Sequence, residues 1–227
     1  MVDDADSNGP LKHRSLVDLA IDEVQRLIFV GTYNPGDPLR EQELTGKLGI
    51  SRAPLREALR VLEQRGIVEQ IPRRGVRVVN LTATDVNEIY NLRDALDRFA
   101  VESAFPDPDP AALEKMQRAF EDMRRASDGS DHAGVVRSNR QFHVALVALS
   151  GNNRLRMTYE SLMDQMQLCM SANLRQENAA VGDYQLGVTR HRVLLESVES
   201  GNPATVLDAL AAHGSRNFLV EAEPRFL

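Results

Sequence analysis

A mainly α protein in two parts is predicted, with a small helical domain closed by a β-hairpin over residues 1–80 and an all-helical bundle over 81–227. Three observations predict it. Tryptophan is absent and only 5% of residues are aromatic, while Ala, Leu, Arg, Glu and Asp are plentiful, a composition that favours helices over sheets. Only one pair of short β-rich runs stands out, "IVEQI" and "VRVV"; elsewhere apolar residues recur at helical spacing. The charge is also divided. Between Leu44 and Val78, eight basic residues (Lys47, Arg52, Arg56, Arg60, Arg65, Arg73, Arg74, Arg77) stand against Glu57, Glu63 and Glu69, whereas from Leu81 onward acidic residues are in excess and the whole chain carries -6. A basic segment attached to an acidic body implies that only the first part meets a polyanion.

Ser15 can cap a helix that begins at Leu16, and "SLVDLAIDEVQRLIFVG" keeps helical spacing until Gly31 stops it. "TYNPGDP" reads as a turn. "LREQELTGKLG" is a short second helix that ends at Gly49. Ser51 is expected to cap a third helix, in whose first turn Pro54 is tolerated because the N–H groups there have no intrahelical acceptor. Gly66 closes that helix, and "PRRG" joins the two β-rich runs into a hairpin with arginines at its tip.

On the third helix Arg52, Arg56 and Arg60 recur every four residues and share one face, with Leu55, Leu59 and Leu62 on another. A charged stripe can simply be solvated. Two short helices joined by a tight turn, the second of them basic and followed by a basic hairpin, make the layout of a winged helix-turn-helix. There the N-terminal end of the second helix enters the major groove of double-stranded DNA and the wing follows the backbone, so the stripe is read as facing DNA.

"NLTATDV" is the junction, where Thr82 or Thr84 can cap the next helix. Helices are expected over roughly 84–104, 110–127, 131–150, 153–179, 183–200 and 203–222, separated by "PDPDP", "SDGSD", "SGNN", "NAAVGD" and "SGNP". Leu146, Leu149, Leu162, Met163, Met166 and Met170 form apolar ridges suited to a core or a dimer contact.

Three of the five histidines fall in this bundle at suggestive places. "NRQFH" sets Asn139 and His143 four residues apart on one helical face, and His191 and His213 follow on later helices. Spacing alone leaves two readings open. Each histidine can be an ordinary core or surface residue, as His13 and His132 are taken to be. Three imidazoles and an amide oxygen from three helices can also hold a divalent ion, zinc or nickel before others. Arg93 is similarly divided between a surface pair with Asp97 at i+4 and a carboxylate-binding group inside the bundle.

The stretch "PGDPLREQELTGKLGISRAPLREALRVLEQRGIVEQIPRRGVRVV" resembles the DNA-binding domain of GntR-type bacterial transcriptional regulators. The hallmark shared with them is Ser-Arg-x-Pro-Leu-Arg-Glu-Ala-Leu, after "LGI" and before the turn at Gly66-Ile67-Val68. The resemblance implies that Ser51, Arg52 and Arg56 face the groove and that Arg74 and Gly75 lie at the tip of the wing. The family often has a basic residue where this chain has Gln42, and Arg40 beside it is the expected substitute. Residues 85–220 are similar to the FCD effector domain of one subclass, with its [Asp/Asn]-x-x-x-His pair and two later histidines. That resemblance implies metal ligation by Asn139, His143, His191 and His213, with Arg93 pointing into the pocket. Asn139 stands where aspartate is also common. An amide oxygen brings no charge, so the site keeps the full charge of its ion and suits a small carboxylate effector.

The function implied is a ligand-responsive regulator, a homodimer on a palindromic operator, and not an enzyme. The rival is a metalloenzyme, against which the site shows no obvious general base and the chain no G-x-S-x-G motif. A third possibility is a metal that only staples the bundle. Cys169 is the only cysteine, so no intrachain disulfide is possible and a cytoplasmic setting is expected. No apolar run is long enough to span a membrane, and "MVDDADSNGP" is unlike a signal peptide.

Overall fold

The computed structural model describes residues 14–181 and 184–213, with side chains 169–181 left undescribed. The first domain contains α1 (Leu16–Phe29), β1 (Pro38–Leu39), α2 (Glu41–Leu48), α3 (Arg52–Gln64), β2 (Val68–Ile71) and β3 (Gly75–Val78). The second is built from α4 (Ala83–Ala104), α5 (Pro110–Asp128), α6 (His132–Ala148), α7 (Asn153–Val181), α8 (Gln185–Glu199) and α9 (Pro203–Ala212). The expected helix over 203–222 is described to Ala212, with His213 as its C-cap; its remainder lies outside the described residues, as does His13.

Local chemistry fixes most boundaries. The Ser15 hydroxyl accepts from the Asp18 N–H while the Asp18 carboxylate accepts from the Ser15 N–H, closing a capping box on α1. Thr82, not Thr84, caps α4, because Asp85 three residues on completes the same reciprocal pair. Ser51 departs from expectation. It occupies the N-cap of α3, but its side chain makes no capping bond and stays exposed.

The hairpin is also larger than expected. Pro38, the last residue of the predicted turn, and Leu39, the first of the predicted second helix, instead form a third strand, so that α2 starts at Glu41; the sheet order is β1-β3-β2, antiparallel throughout. A two-residue strand has no periodicity to read. Arg73 (φ 65°) and Gly75 (φ 91°) turn the wing. Val24, Leu27, Leu44, Leu55, Leu59, Leu62 and Val78 form the first core, which Leu168 of α7 also enters.

In the bundle, α6 packs between α5 and α7 and touches α4, so residues on opposite sides of it are buried. Its Phe142 and Leu146 join Met116, Phe120, Met123, Leu149 and Leu194 in one core; Val147 joins Tyr159, Leu162, Met163 and Met166 in another. The apolar ridges are therefore core, with the Met170 side chain outside the described set. Because α6 is central, polar side chains on it are forced into the interior.

Candidate functional site

The first cluster is basic and exposed. Ser51, Arg52 and Arg56 lie at or near the N-terminus of α3, the end of the helix that a groove admits. Arg40 at the N-cap of α2 and Arg74 and Gly75 at the wing are exposed as well. Arg40, Arg52 and Arg74 have no ion-pair partner among the described residues. Arg56 does: its Nε donates to both oxygens of Glu41 on α2, at 2.9 and 3.1 Å. Glu41 thereby braces Arg56 across the helix-turn-helix, a contact set by the interhelix angle and invisible in the sequence. Arg60 lies 3.6 Å from Glu57, and Arg77 pairs with Glu69 across the β2–β3 ladder at 2.8 Å.

The second cluster is buried. His143 from α6, His191 from α8 and His213 at the end of α9 are 1%, 6% and 7% exposed, and each offers a ring nitrogen within 4.8 Å of the others. Three helices that share no sequence neighbourhood thus converge on one point. The Nε2 atoms of His143 and His191 are 3.3 Å apart. Donors bound to zinc at about 2.0–2.1 Å with tetrahedral angles stand about 3.3 Å apart, so this pair has the spacing of two ligands of one ion. The Nδ1 of His191 lies 2.7 Å from the Gly187 carbonyl. A carbonyl only accepts, so Nδ1 carries the proton and the lone pair of Nε2 faces the cluster, the arrangement that orients a ligating imidazole. Burial is the main force pushing His143 and His213 well below their ordinary pKa and His191 down to about 4, which leaves neutral rings with free lone-pair capacity at pH 7. His213 Nδ1 is buried without a hydrogen-bond partner. Asn139, one turn before His143, is buried at 4% exposure. The donor set therefore fits a divalent ion of the zinc or nickel kind.

Arg93 is where sequence and structure part. It does pair with Asp97, Nε to Oδ2 at 3.1 Å, but both are buried, so the surface version of that pair is wrong. Its Nη2 lies 3.0 Å from the ring nitrogens of His143. Burial opposes its charge, and Tyr159 and Asp97 outweigh that and hold it firmly protonated. Burial pushes the Asp97 carboxyl up, while Arg93 beside it pulls it back. Tyr159, from α7, completes the group. It occupies the apolar stripe of Leu155 and Met163, where a hydroxyl was the only clue to a polar role.

The two clusters are mechanically joined. Arg140, the residue after Asn139, donates to Asp164 Oδ1 from Nε at 2.9 Å and from Nη2 at 2.8 Å. The other oxygen of Asp164 lies 3.8 Å from Nε of Arg65, the C-cap of α3. Gly66 (φ 68°) lies against Gln165 of α7. An open cleft of about 760 Å³ separates α1 from the α6–α7 face beside this clasp, away from the histidines.

A winged-helix domain with an exposed basic third helix, docked on an all-helical domain with a buried polar centre, is the architecture of a two-domain DNA-binding regulator. Residues 16–78 match the family described as bacterial regulatory proteins of the gntR family, and residues 88–216 match the FCD domain. The chain belongs to the GntR family, in its FCD class, and is a DNA-binding transcriptional regulator. It is 31% identical to the HTH-type transcriptional regulator YdhC of Bacillus subtilis, over 84% of each chain. It is 28% identical, over 78% of this chain and 76% of the relative, to a probable D-xylose utilization operon transcriptional repressor of Paenarthrobacter nicotinovorans. The solved structure of McbR/YncC from E. coli shares the fold, with a TM-score of 0.74 at 22% identity over 92% of this chain and 97% of that one.

Proposed function

We propose that this regulator works in the cytoplasm as a homodimer on a palindromic operator and senses a small carboxylate through a divalent ion held by Asn139, His143, His191 and His213. One observation carries the reading. Three buried, neutral imidazoles converge beside a guanidinium that stays charged, which is a cationic receptor for an anion in an otherwise apolar bundle. Held by Asn139, His143, His191 and His213, such an ion would supply a positive charge for a carboxylate oxygen. Arg93 contributes a fixed fork of donors and orients the acid, and the surrounding core excludes water that would screen both. Because its relatives are transcriptional regulators, the site is read as a receptor rather than as a catalyst or a mere staple.

On the DNA side, Arg52 and Arg56 enter the major groove with Ser51, while Arg40, Arg74 and the Gly75 backbone follow phosphates. Two-fold symmetry doubles the few base contacts one winged domain offers. Leu92 and Phe99, seven residues apart on α4 and 48% and 50% exposed, are suited to the partner protomer. Movement of α6 on effector binding reaches α3 through Arg140, Asp164 and Arg65. Metal analysis of protein purified without chelator, followed by calorimetric titration with zinc and nickel, tests the site. About one ion per chain, lost in His143→Ala, is expected; no uptake of either ion returns the histidines to the core.

A further inference from the structure

The cleft beside the Arg140–Asp164–Arg65 clasp takes no part in sensing at the histidines. It encloses about 760 Å³ between α1 and the α6–α7 face, the size of a small-molecule site. Its charges do not balance. Five arginines and three acids line it, a surplus of two positive charges in a chain whose net charge is -6. Asp22 is taken by Arg14 and Glu23 by Arg26, so Asp164, 5% exposed, is left to serve two guanidinium groups at once. Arg140 holds one of its oxygens at 2.8 and 2.9 Å. Arg65 reaches the other only at 3.8 Å, with its Nη1 3.5 Å from the Gln25 amide oxygen. Arg137, one turn before Arg140 on α6, is exposed and has no hydrogen bond or ion pair with a described residue. The opposite wall is apolar. Leu16 and Leu19, one turn apart on α1, are 58% and 46% exposed, although the core takes Val24, Leu27 and Ile28 from another face of the same helix. We propose that this interdomain cleft is a second ligand site, which takes a carboxylate carried on a bulky apolar body.

The site stands apart from the histidine centre and needs no metal. A guanidinium donates and never accepts, so the surplus at Arg65 and Arg137 is met only by an acceptor, and best by a charged one that its planar fork can hold. The leucines set the other half of the ligand. An apolar body laid on Leu16 and Leu19 removes from water the surface that the fold leaves wet, which a small acid such as acetate is too short to do. A neutral apolar molecule covers the leucines but leaves the cations unmatched. The placement also gives the site a consequence. Leu16 and Leu19 belong to α1 and Arg65 is the C-cap of α3, whereas Arg137 and Arg140 belong to α6, so one bound molecule ties the DNA-binding domain to the bundle without passing through the histidines.

The test is calorimetry on the full-length protein after chelator treatment, with 2-naphthoate and adamantane-1-carboxylate as probes. Two controls each lack one half of the ligand: 2-naphthylmethanol has no charge, and acetate has no apolar body. At least one probe is expected to bind about 10-fold or more tightly than both controls. Arg137→Ala and Leu19→Ser alter exposed side chains and leave the cores intact. Arg137→Ala is expected to weaken the bound probe about 5- to 10-fold and Leu19→Ser about 3- to 10-fold, while His143→Ala leaves it within about 2-fold. The alcohol bound as tightly as the acid, an affinity unchanged in either cleft variant, or binding lost in His143→Ala overturns the site. So does the failure of both probes to bind more tightly than about 1 mM. None of these results bears on metal uptake by the histidines, which is measured separately.

Discussion

Acidification of the metal-free protein tests how the histidine centre is built. In the folded chain His191 resists protonation until about pH 4, chiefly because it is buried, whereas an unfolded histidine takes its proton near 6.5. Between those values the unfolded state binds a proton that the folded state refuses, so stability is fully present above about pH 6.5 and falls as the pH drops toward 4. Integrating that difference gives a loss of about 2 kcal/mol at pH 5 from His191 alone, and about 3 kcal/mol when the fall is complete. His143 and His213 are displaced in the same direction and add to it. Small domains hold only about 5–15 kcal/mol in total, so this is a large fraction. The assay is urea unfolding at pH 7.5, 6 and 5 after chelator treatment and dialysis. Carboxylates stay mostly ionised across that window, and His191→Gln isolates the histidine part. The wild type should lose at least about 2 kcal/mol between pH 7.5 and 5, and the variant about 2 kcal/mol less than that. Equal losses in the two proteins, or a stability that is flat to pH 5, would refute the claim that the centre holds buried neutral imidazoles.

Three further outcomes are expected. Arg52→Ala and Arg56→Ala should each remove about 1–3 kcal/mol of discrimination per half-site in a gel-shift series at fixed salt, while Arg74→Ala weakens all sequences alike and lowers the salt slope; Glu41→Gln, which loosens Arg56 without removing it, should have a smaller effect than Arg56→Ala in the same series. Gly66→Ala should lower stability by about 1–2 kcal/mol in thermal melts, because φ 68° is a left-handed backbone; the Gln165 amide, 2.6 Å from the new Cβ, is a flexible end that swings aside, so Gln165→Ala should not rescue it. Asn139→Asp should tighten the metal and weaken the carboxylate effector, since the added negative charge offsets part of the cation's attraction; calorimetry that shows both affinities rising would contradict the assignment.

The first domain was readable because its signals are local. Ser15, Pro54, Gly49 and Gly66 mark helix ends within a turn of where they act, and α1 and α3 appear within a residue or two of expectation. Thr82 against Thr84 was also decidable, since only Thr82 has Asp85 at the capping-box position. β1 was not, because its two residues pair with β3 for reasons of tertiary placement. For Arg93 and Asp97 an i+4 spacing states that they meet, but not whether water or α6 covers them; burial is decided by the packing of α4 on α6 and α7. The same holds for the histidines. Helical periodicity orients Asn139 and His143 together, yet nothing in the chain fixes the angles that bring His191 and His213 to them. Glu41, Tyr159 and the Asp164 clasp are wholly products of interhelix geometry.

The most direct measurement of the central claim is operator affinity, at one salt concentration, for a single preparation in four states: metal-free, metal-loaded, metal-free with acid, and metal-loaded with acid. Lactate, malate and 3-hydroxybutyrate serve as the acids. The account predicts that affinity shifts when metal and acid are both present, that acid alone has no effect, and that the response disappears in His143→Ala and Arg93→Leu while their metal-free DNA binding persists. An acid response that survives without metal or in either variant, or identical affinity in all four states, would contradict it.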